Sequence, residues 1–404
     1  MNIVERYFGN RGVFLVFLCF FFIIYFNNET LPNNLCTFVN QPCQYIAVLG
    51  MVLYVTRASK HLLVPNSNTL TYAIIMSLCV AIAGFFDRTF SNGYILTIMN
   101  ILLASMMASI LPFSIFKKYY IHIIVFLCLC SLLMTYIARP FLPMLPLQHV
   151  VNSAQTPFTN AIVCYVIDFD SYLRNTGIFR EAGVWGAFVL LAIMLLIPER
   201  HTFSNKRYNI YLIILVVTVL STFSTACLLA LGAYLIVSIA TRNMSLGNNK
   251  LVVVFIAAFM VLVLRNMDYL DLFNESVGKL STDSSSYQAR TDVYTNALPM
   301  IFSNVFGHGI LNGASGLMLG HDESTFHNTS TIITSCIYFG IVFFCIYFYG
   351  FLRFCKRRLS SILFIIPLLI ILNAEQYIFN PIFYMLVFYG ISNEIENPLQ
   401  TLRK

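Results

Sequence analysis

The amino-acid sequence predicts an all-α polytopic integral membrane protein. Of its 404 residues, 58% are hydrophobic and 10% are charged, and the mean hydropathy is +0.77. Soluble globular domains carry about 25% charged residues, so a soluble core could not bury this much apolar surface. The apolar residues also fall into runs of about 11 to 23 residues, most of which can cross a hydrocarbon core as a helix. The sequence thus predicts a single integral membrane domain over residues 1–404.

About 12 transmembrane helices are predicted from these runs. The run 208–240 is too long for one crossing, and we divide it at residues 221–225, where the sequence STFST places hydroxyl side chains typical of a surface turn. The predicted spans are residues 12–26, 43–56, 70–86, 94–116, 119–138, 184–197, 208–220, 226–240, 251–264, 332–351, 362–372 and 377–390.

The basic residues indicate the orientation of the chain. Lys and Arg collect in short loops on the cytoplasmic side of membrane proteins, and most of them do so here when the N-terminus and the C-terminus are both placed in the cytoplasm. Because these residues form short clusters between apolar runs, the net charge of +7 indicates topology and not nucleic-acid binding. Arg174, Arg180 and Arg290 are among the few basic residues left on the outer side.

Two outer segments are longer than a turn, residues 139–183 and residues 266–331. Loops longer than about 15 residues are usually functional or disordered. Within the second loop, Tyr287, Tyr294 and Leu298 recur at helical spacing and predict an amphipathic helix over residues 287–302. Such a helix along the membrane surface would direct Arg290 towards a lipid headgroup or a pyrophosphate.

The end of the first loop is a candidate anion-binding segment. Arg174 and Arg180 bracket a turn at Gly177, and Glu181 precedes the next predicted helix. Guanidinium groups pair with phosphate oxygens in a two-pronged manner, and a helix N-terminus adds N–H donors. The alternative is structural: both arginines act as interfacial anchors, and Glu181 as a partner of the helix dipole.

Other motifs give no further site. The sequence has no HExxH, CxxC or closely spaced carboxylate motif, so neither a metal nor another cofactor is predicted. The stretch GHGILNG at residues 307–313 lacks the Lys-Ser/Thr ending of a nucleotide-binding loop, and we interpret it as a turn with His308 on the surface.

Four stretches resemble segments of the superfamily of Wzy-type O-antigen polymerases and O-antigen ligases, in the same order along the chain. They are RNTGIFREAG (residues 174–183), TFSTACLLALGAYL (222–235), QARTDVYTNALPMIFSNVFGHGILN (288–312) and FHNTSTIITSCIYFGIVFF (326–344). The resemblance implies a fold similar to GT-C-type membrane glycosyltransferases, with a large, partly helical periplasmic loop, in the bacterial inner membrane.

The same resemblance implies an inverting, metal-independent glycosyltransferase that joins repeat units carried on undecaprenyl pyrophosphate. It implies a lipid-linked oligosaccharide donor and acceptor, membrane lipids, and a chain-length regulator as a further candidate partner. The positions that match the family motifs are Arg174, Glu181, Arg290 and His327, and Arg180 is added because it lies close to them in sequence.

These residues suggest a division of roles. Breaking a sugar–pyrophosphate bond develops negative charge, which Arg174, Arg180 and Arg290 are expected to stabilise. His327 or Glu181 is expected to accept the proton of the attacking hydroxyl, and His327 is preferred because the large loop re-enters the membrane there.

Two departures from the family pattern leave alternatives open. Ser224-Thr225 stands where the family has Ser-Arg, so that arginine's contribution is missing or comes from elsewhere, with Arg88 and Arg265 as candidates. Gly340 also follows His327-Asn328 at a longer spacing than in the ligases. An O-antigen ligase that acts on lipid A-core, and a lipid-linked oligosaccharide flippase or other transporter, remain the alternatives.

Overall fold

The computed structural model describes residues 14, 17–25, 30, 50, 67–87, 91–151, 157–161, 163–167, 174–241, 285–317 and 330–392. The predicted spans 43–56 (apart from residue 50) and 251–264 lie outside these residues, as do His327, Arg88 and Arg265.

The described helices follow the predicted apolar runs. They are α1 (Ser67–Phe86), α2 (Asn92–Ile110), α3 (Phe113–Leu132), α4 (Ala182–Leu196), α5 (Asn205–Ser221), α6 (Thr225–Ala240), α7 (Ser285–Ser303), α8 (Ile310–Leu317), α9 (Thr331–Arg358), α10 (Ile365–Ala374) and α11 (Pro381–Ile391). A π-helical turn (Leu133–Ala138) and 3-10 helices (Arg139–Met144, Ile197–Thr202, Ile362–Phe364) extend or join them. The helix predicted over residues 287–302 is confirmed as α7, whereas its predicted apolar face is not buried, since Tyr294 and Leu298 are exposed.

Five helical segments of the described chain are long and apolar enough to cross a membrane: Ser67–Phe86, Asn92–Ser109, Phe113–Met144, Ala182–Arg200 and Thr331–Arg358. Thr225–Ala240, Ile362–Ala374 and Pro381–Ile391 are shorter apolar helices. Side chains such as Phe85, Ile236 and Phe302 are largely exposed on the outside of the bundle. A helical protein with this surface is membrane-embedded, as its composition predicts.

The division of residues 208–240 at the STFST stretch is confirmed, because α5 ends at Ser221 and α6 begins at Thr225. Phe223, between them, has a left-handed backbone with φ +48°. The predicted boundary at Lys117 is wrong. Pro112 has no N–H and disfavours helical backbone at Leu111, which is extended, so α2 ends at Ile110 and Lys117 lies inside α3.

A three-stranded antiparallel sheet lies in the first loop, where the sequence predicts no strand. Its strands are β1 (His149–Val151), β2 (Pro157–Asn160) and β3 (Tyr165–Ile167), and β2 is central. Phe158 of β2 pairs with Val150 on one side and Ile167 on the other, and these side chains form a small core of their own. Strands of three or four residues are too short to show a period-two pattern in the sequence.

The bundle has two chemically different ends. At the basic end, Arg358 in the last turn of α9 donates to Tyr389 O and lies over the ring of Phe113, and Lys117 pairs with Glu199. The loop end is the opposite one, where α4 and α9 begin and where the sheet, α7 and α8 lie. The separation of these ends matches the predicted alternation of the spans.

A loop segment closes a break in α9 at the loop end. Gly340 has φ +88° and interrupts the helix, which frees neighbouring backbone groups. Residues 305–309 fill the gap: His308 N donates to Ile337 O (2.7 Å), Gly309 N to Tyr338 O (3.1 Å), and Ile341 N to Val305 O (3.0 Å). The segment is thereby tied to a membrane-spanning helix by its backbone.

The interpretation of residues 307–313 as a turn is therefore wrong beyond Gly309, because α8 begins at Ile310. His308 is half-buried, not on the surface, and its Nε2 lies 2.9 Å from Met300 O and 3.1 Å from Ser303 Oγ.

Asp87 anchors the first turn of α8. This buried carboxylate accepts hydrogen bonds from Leu311 N (3.0 Å), Asn312 N (2.9 Å) and Tyr94 Oη (2.6 Å), and the same Tyr94 hydroxyl accepts from Ile310 N (2.6 Å). An anion at a helix N-terminus satisfies N–H groups that have no partner within the helix. The ends of α1 and α2 thus fix the large loop.

Replacing Gly340 by alanine is expected to destabilise the protein by at least about 2 kcal/mol, because an L-residue is strained at this backbone conformation. The new Cβ would also lie 2.5 Å from Phe306 C. The measurement is the thermal unfolding midpoint of the purified protein in detergent. Gly232→Ala is the control, since an alanine Cβ there meets no atom within 4 Å and is expected to leave stability unchanged or raise it by up to about 1 kcal/mol. Equal midpoints for Gly340→Ala and the wild type would contradict the assigned role of the break.

Candidate functional site

Asn175 fixes the segment that carries the predicted arginines. Its side chain is fully buried and donates to Ser131 Oγ (3.1 Å) and Ser221 Oγ (3.2 Å), and it accepts from Gly177 N (3.0 Å). Its backbone N–H donates to Ser221 O (3.0 Å). Residues 174–177 are therefore held against α3 and the end of α5.

Gly177 allows the chain to turn tightly over α4. Its φ is +58°, and a Cβ at this position would lie 2.7 Å from the indole of Trp185. Phe179, just beyond the turn, stacks on Trp185 with ring centroids 5.8 Å apart and contacts Phe188 at 4.5 Å. A residue other than glycine would be strained here and would displace the buried indole.

The side chain of Arg174 lies against the turn between α5 and α6. Its Nε donates to Thr222 O and its Nη2 donates to Phe223 O, both at 3.1 Å. The half-buried guanidinium thus lies beside the residues that precede Ser224. Arginine has five N–H donors, and the remaining ones make no bond to a described residue, so they can receive an anion.

Arg180 and Glu181 precede α4. Arg180 is half-buried, whereas Glu181 is exposed and occupies the N-cap position, where its side chain makes no capping hydrogen bond. Its carbonyl accepts from Trp185 N (3.2 Å). The structure therefore places Arg174, Arg180 and Glu181 in one short segment at the N-terminus of α4.

Glu375 is a carboxylate at this site that the sequence analysis missed. It is half-buried, and a Cβ added at Gly183 would collide with its Oε1 and lie 3.4 Å from Ser224 Oγ. Cys227 Sγ lies 3.2 Å from Gly183 O, on the same side. The first turn of α4, Ser224 and Glu375 thus meet at one point.

Glu375 lies in the non-helical segment between α10 and α11. The helices on either side, α10 and α11, have 10 and 11 residues and are each about 15 to 17 Å long, half of a hydrocarbon core. Asn100, in the middle of α2, donates to Phe379 O (2.7 Å), and Tyr389 Oη donates to Leu111 O (2.8 Å) at the end of α2. The end of this segment at Phe379 is therefore level with the middle of α2, a depth at which non-helical backbone is either enclosed by protein or lines a water-filled cavity.

The start of α9 holds this break. Thr331 donates through both its N–H and its hydroxyl to Glu375 O, and its Oγ1 accepts from Tyr377 N (2.7 Å). Next to it, Ser330 Oγ donates to Asn373 Oδ1 (3.0 Å), which also accepts from Tyr294 Oη.

Through Tyr294, α7 reaches the same region. Arg290 lies in α7 one turn before Tyr294. His327 lies outside the described residues, and Ser330 follows it by three positions in the sequence.

Two observations complete the description of the site. Among the described residues, no group of three or more His, Cys, Asp or Glu side chains is arranged to hold a metal ion. No protein-family model, curated protein or solved structure matches the chain.

One signal in the sequence pointed to Glu375. It is a single carboxylate in the short gap between the predicted spans 362–372 and 377–390, and ionisable residues so close to the membrane interior are often functional. No comparable pattern in the sequence indicated the contact of Arg174 with the STFST turn. Its partners Thr222 and Phe223 are 48 and 49 positions further along the chain.

Replacing Asn175 by alanine is expected to lower the free energy of unfolding by about 2 kcal/mol or more, because a buried N–H and two hydroxyls lose their partner. The measurement is the thermal unfolding midpoint in detergent. Asn312→Ala is the matched control, since the Asn312 side chain is exposed and a change within about 0.5 kcal/mol is expected. Equal effects of the two substitutions would show that Asn175 does not hold the segment.

Proposed function

We propose that this protein is a polysaccharide polymerase that joins lipid-linked repeat units, for O-antigen or a related polymer, by inverting, metal-independent glycosyl transfer. The observation that carries the proposal is the Arg174 guanidinium, held by two backbone carbonyls beside Ser224, Glu375 and the N-terminus of α4. A fixed cation and a helix N-terminus within a membrane-embedded bundle suit a pyrophosphate attached to a lipid.

The arginines would act on the leaving group. As the bond between the sugar and the pyrophosphate breaks, negative charge grows on the phosphate oxygens, and a cation already in place stabilises this charge without reorganisation. Arg174 meets that condition because its carbonyl partners set its orientation. Arg180 and Arg290 are proposed to contact the same pyrophosphate from α4 and α7.

A proton acceptor for the attacking sugar hydroxyl completes the proposed reaction. The sequence offers His327 and Glu181 for this role. Glu181 is exposed beside Arg180 at the start of α4, and His327 precedes Ser330, which contacts Asn373 at the edge of the site.

The number and orientation of the membrane helices are part of the proposal. The proposed protein has twelve transmembrane helices in a GT-C-like arrangement and lies in a bacterial inner membrane. Both termini are in the cytoplasm, and the loop end is in the periplasm. The concentration of Lys117, Arg200 and Arg353 to Arg358 at the basic end supports this orientation. Undecaprenyl-pyrophosphate oligosaccharides would reach the site from the outer leaflet, and a chain-length regulator is a candidate partner.

A transporter of lipid-linked oligosaccharides is the second candidate, and one observation favours it. The pair of short helices α10 and α11, with a half-buried carboxylate in the break between them, is an arrangement that secondary transporters use at their substrate sites. An O-antigen ligase would share the proposed chemistry and differ in its acceptor.

A strain that lacks the gene distinguishes these functions through its surface polysaccharide. Accumulation of one repeat unit on the final acceptor supports the polymerase. Long chains that remain on the carrier lipid would indicate the ligase instead. Loss of every lipid-linked unit from the outer leaflet would indicate the transporter.

Arg174→Ala, Arg290→Ala and His327→Ala are expected to insert normally and to lose polymer, with turnover lowered about 10²- to 10³-fold for each arginine. The measurement is polymer length on gels together with the amount of protein in the membrane. Lys206→Ala, at an exposed position of the basic end, is the control and should give wild-type chain lengths. Wild-type polymer in a variant would remove that residue from the site.

A further inference from the structure

Hydrogen bonds to α9 and α10 fix the backbone of Glu375. Its N–H donates to Ile371 O (3.2 Å), and its carbonyl accepts two hydrogen bonds from Thr331. Glu181, in contrast, is exposed, and its side chain makes no capping hydrogen bond. Groups that transfer protons act best when rigid elements fix their position.

The carboxylate of Glu375 lies beside a helix N-terminus. Its carboxylate lies against Gly183 in the first turn of α4, where the helix dipole stabilises an anion. Glu375 and Arg174 both lie close enough to the Cys227 thiol to act on it electrostatically. A carboxylate at this position can act as a proton acceptor.

Glu375 and Arg174 approach Ser224 from different elements. Arg174 donates to Phe223 O, one residue before Ser224, whereas Glu375 meets Ser224 across Gly183. Inverting transfer needs the leaving group on one face of the sugar and the attacking hydroxyl, with its proton acceptor, on the other. Arg174 and Glu375 come to Ser224 from separate elements, and the proposal assigns them to opposite faces of the sugar.

We infer that Glu375 accepts the proton of the attacking sugar hydroxyl, an inference that rests on the proposed polymerase function. The acceptor oxygen forms a bond to the anomeric carbon while its proton passes to a Glu375 carboxylate oxygen. The bond from the anomeric carbon to the phosphate oxygen breaks, and its electron pair remains on the pyrophosphate beside Arg174. Glu375 later releases the proton to water. His327 then has an orienting role.

The experiment uses full-length protein in proteoliposomes and lipid-linked repeat units extracted from cells that lack the gene. Glu375→Gln is expected to lower transfer to the sugar hydroxyl by about 10²- to 10⁴-fold. Azide is already an anionic nucleophile and needs no proton acceptor. Added azide should therefore let Glu375→Gln release pyrophosphate carrier and form an inverted glycosyl azide, detected by mass spectrometry and NMR. Glu375→Asp keeps a carboxylate and should retain partial transfer.

Controls separate the possible outcomes. Glu199→Gln changes a carboxylate at the basic end and should transfer at the wild-type rate. Arg174→Ala should not be restored by azide, because its defect is at the leaving group. Gel filtration and thermal unfolding establish that each variant is folded.

Two results would contradict the role of Glu375 and leave the proposed function standing. In the first, the wild type makes polymer and Glu375→Gln makes it at a similar rate. In the second, azide does not restore cleavage of the sugar–pyrophosphate bond by folded Glu375→Gln. If azide restores bond cleavage in His327→Ala and not in Glu375→Gln, His327 is the residue that accepts the proton. If the wild type forms neither polymer nor glycosyl azide, the proposed function itself is overturned.

Discussion

Backbone hydrogen bonds that close breaks in membrane helices are the constraint on which this structure depends. Inside a bilayer, an N–H or C=O group that leaves a helix must find a partner in the protein or in an enclosed water cavity. Here the break at Gly340 is closed by residues 305–309, and that at residues 375–380 by Thr331 and Asn100. The turn at Phe223 is closed by Arg174. Each closure brings a distant part of the chain to the break.

The candidate site follows from two of these closures. Arg174 reaches Ser224 because the carbonyls of Thr222 and Phe223 need donors, and Glu375 is fixed because Thr331 occupies its carbonyl. The same bonds that make non-helical backbone tolerable in a membrane therefore orient the guanidinium of Arg174 and fix the backbone that carries Glu375. Such preorganisation is the main source of electrostatic stabilisation in enzyme sites. Structural and proposed catalytic roles coincide in these side chains.

Composition and apolar runs were enough to predict a helical membrane protein, and hydroxyl residues correctly divided the run at 221–225. The boundary near Lys117 was misplaced because hydropathy counts Pro112 as one more apolar residue, although its ring ends a helix. The β-strands of the first loop were too short to give a periodic signal.

The site was predictable only in part. Arg174, Arg180 and Glu181 belong to one short segment with a local turn at Gly177, so the sequence alone could group them. The placement of Glu375 depends on contacts with α4 and α9, which lie far away along the chain, and no local pattern encodes it. Arg290 belongs to the predicted helix, but its side chain and His327 lie outside the description, so their roles stay predictions.

Asp87 carries a consequence for biogenesis. Its partners Leu311 and Asn312 are 224 and 225 positions further along the chain. During synthesis, the Asp87 carboxylate therefore has no hydrogen bonds from the amides of α8 until the second half of the chain has been made. Contacts of such long range form late. A nascent chain shorter than about 310 residues lacks the hydrogen bonds by which Asp87 joins α1 to α8 of the large loop. The helical bundle can therefore be completed only late in translation.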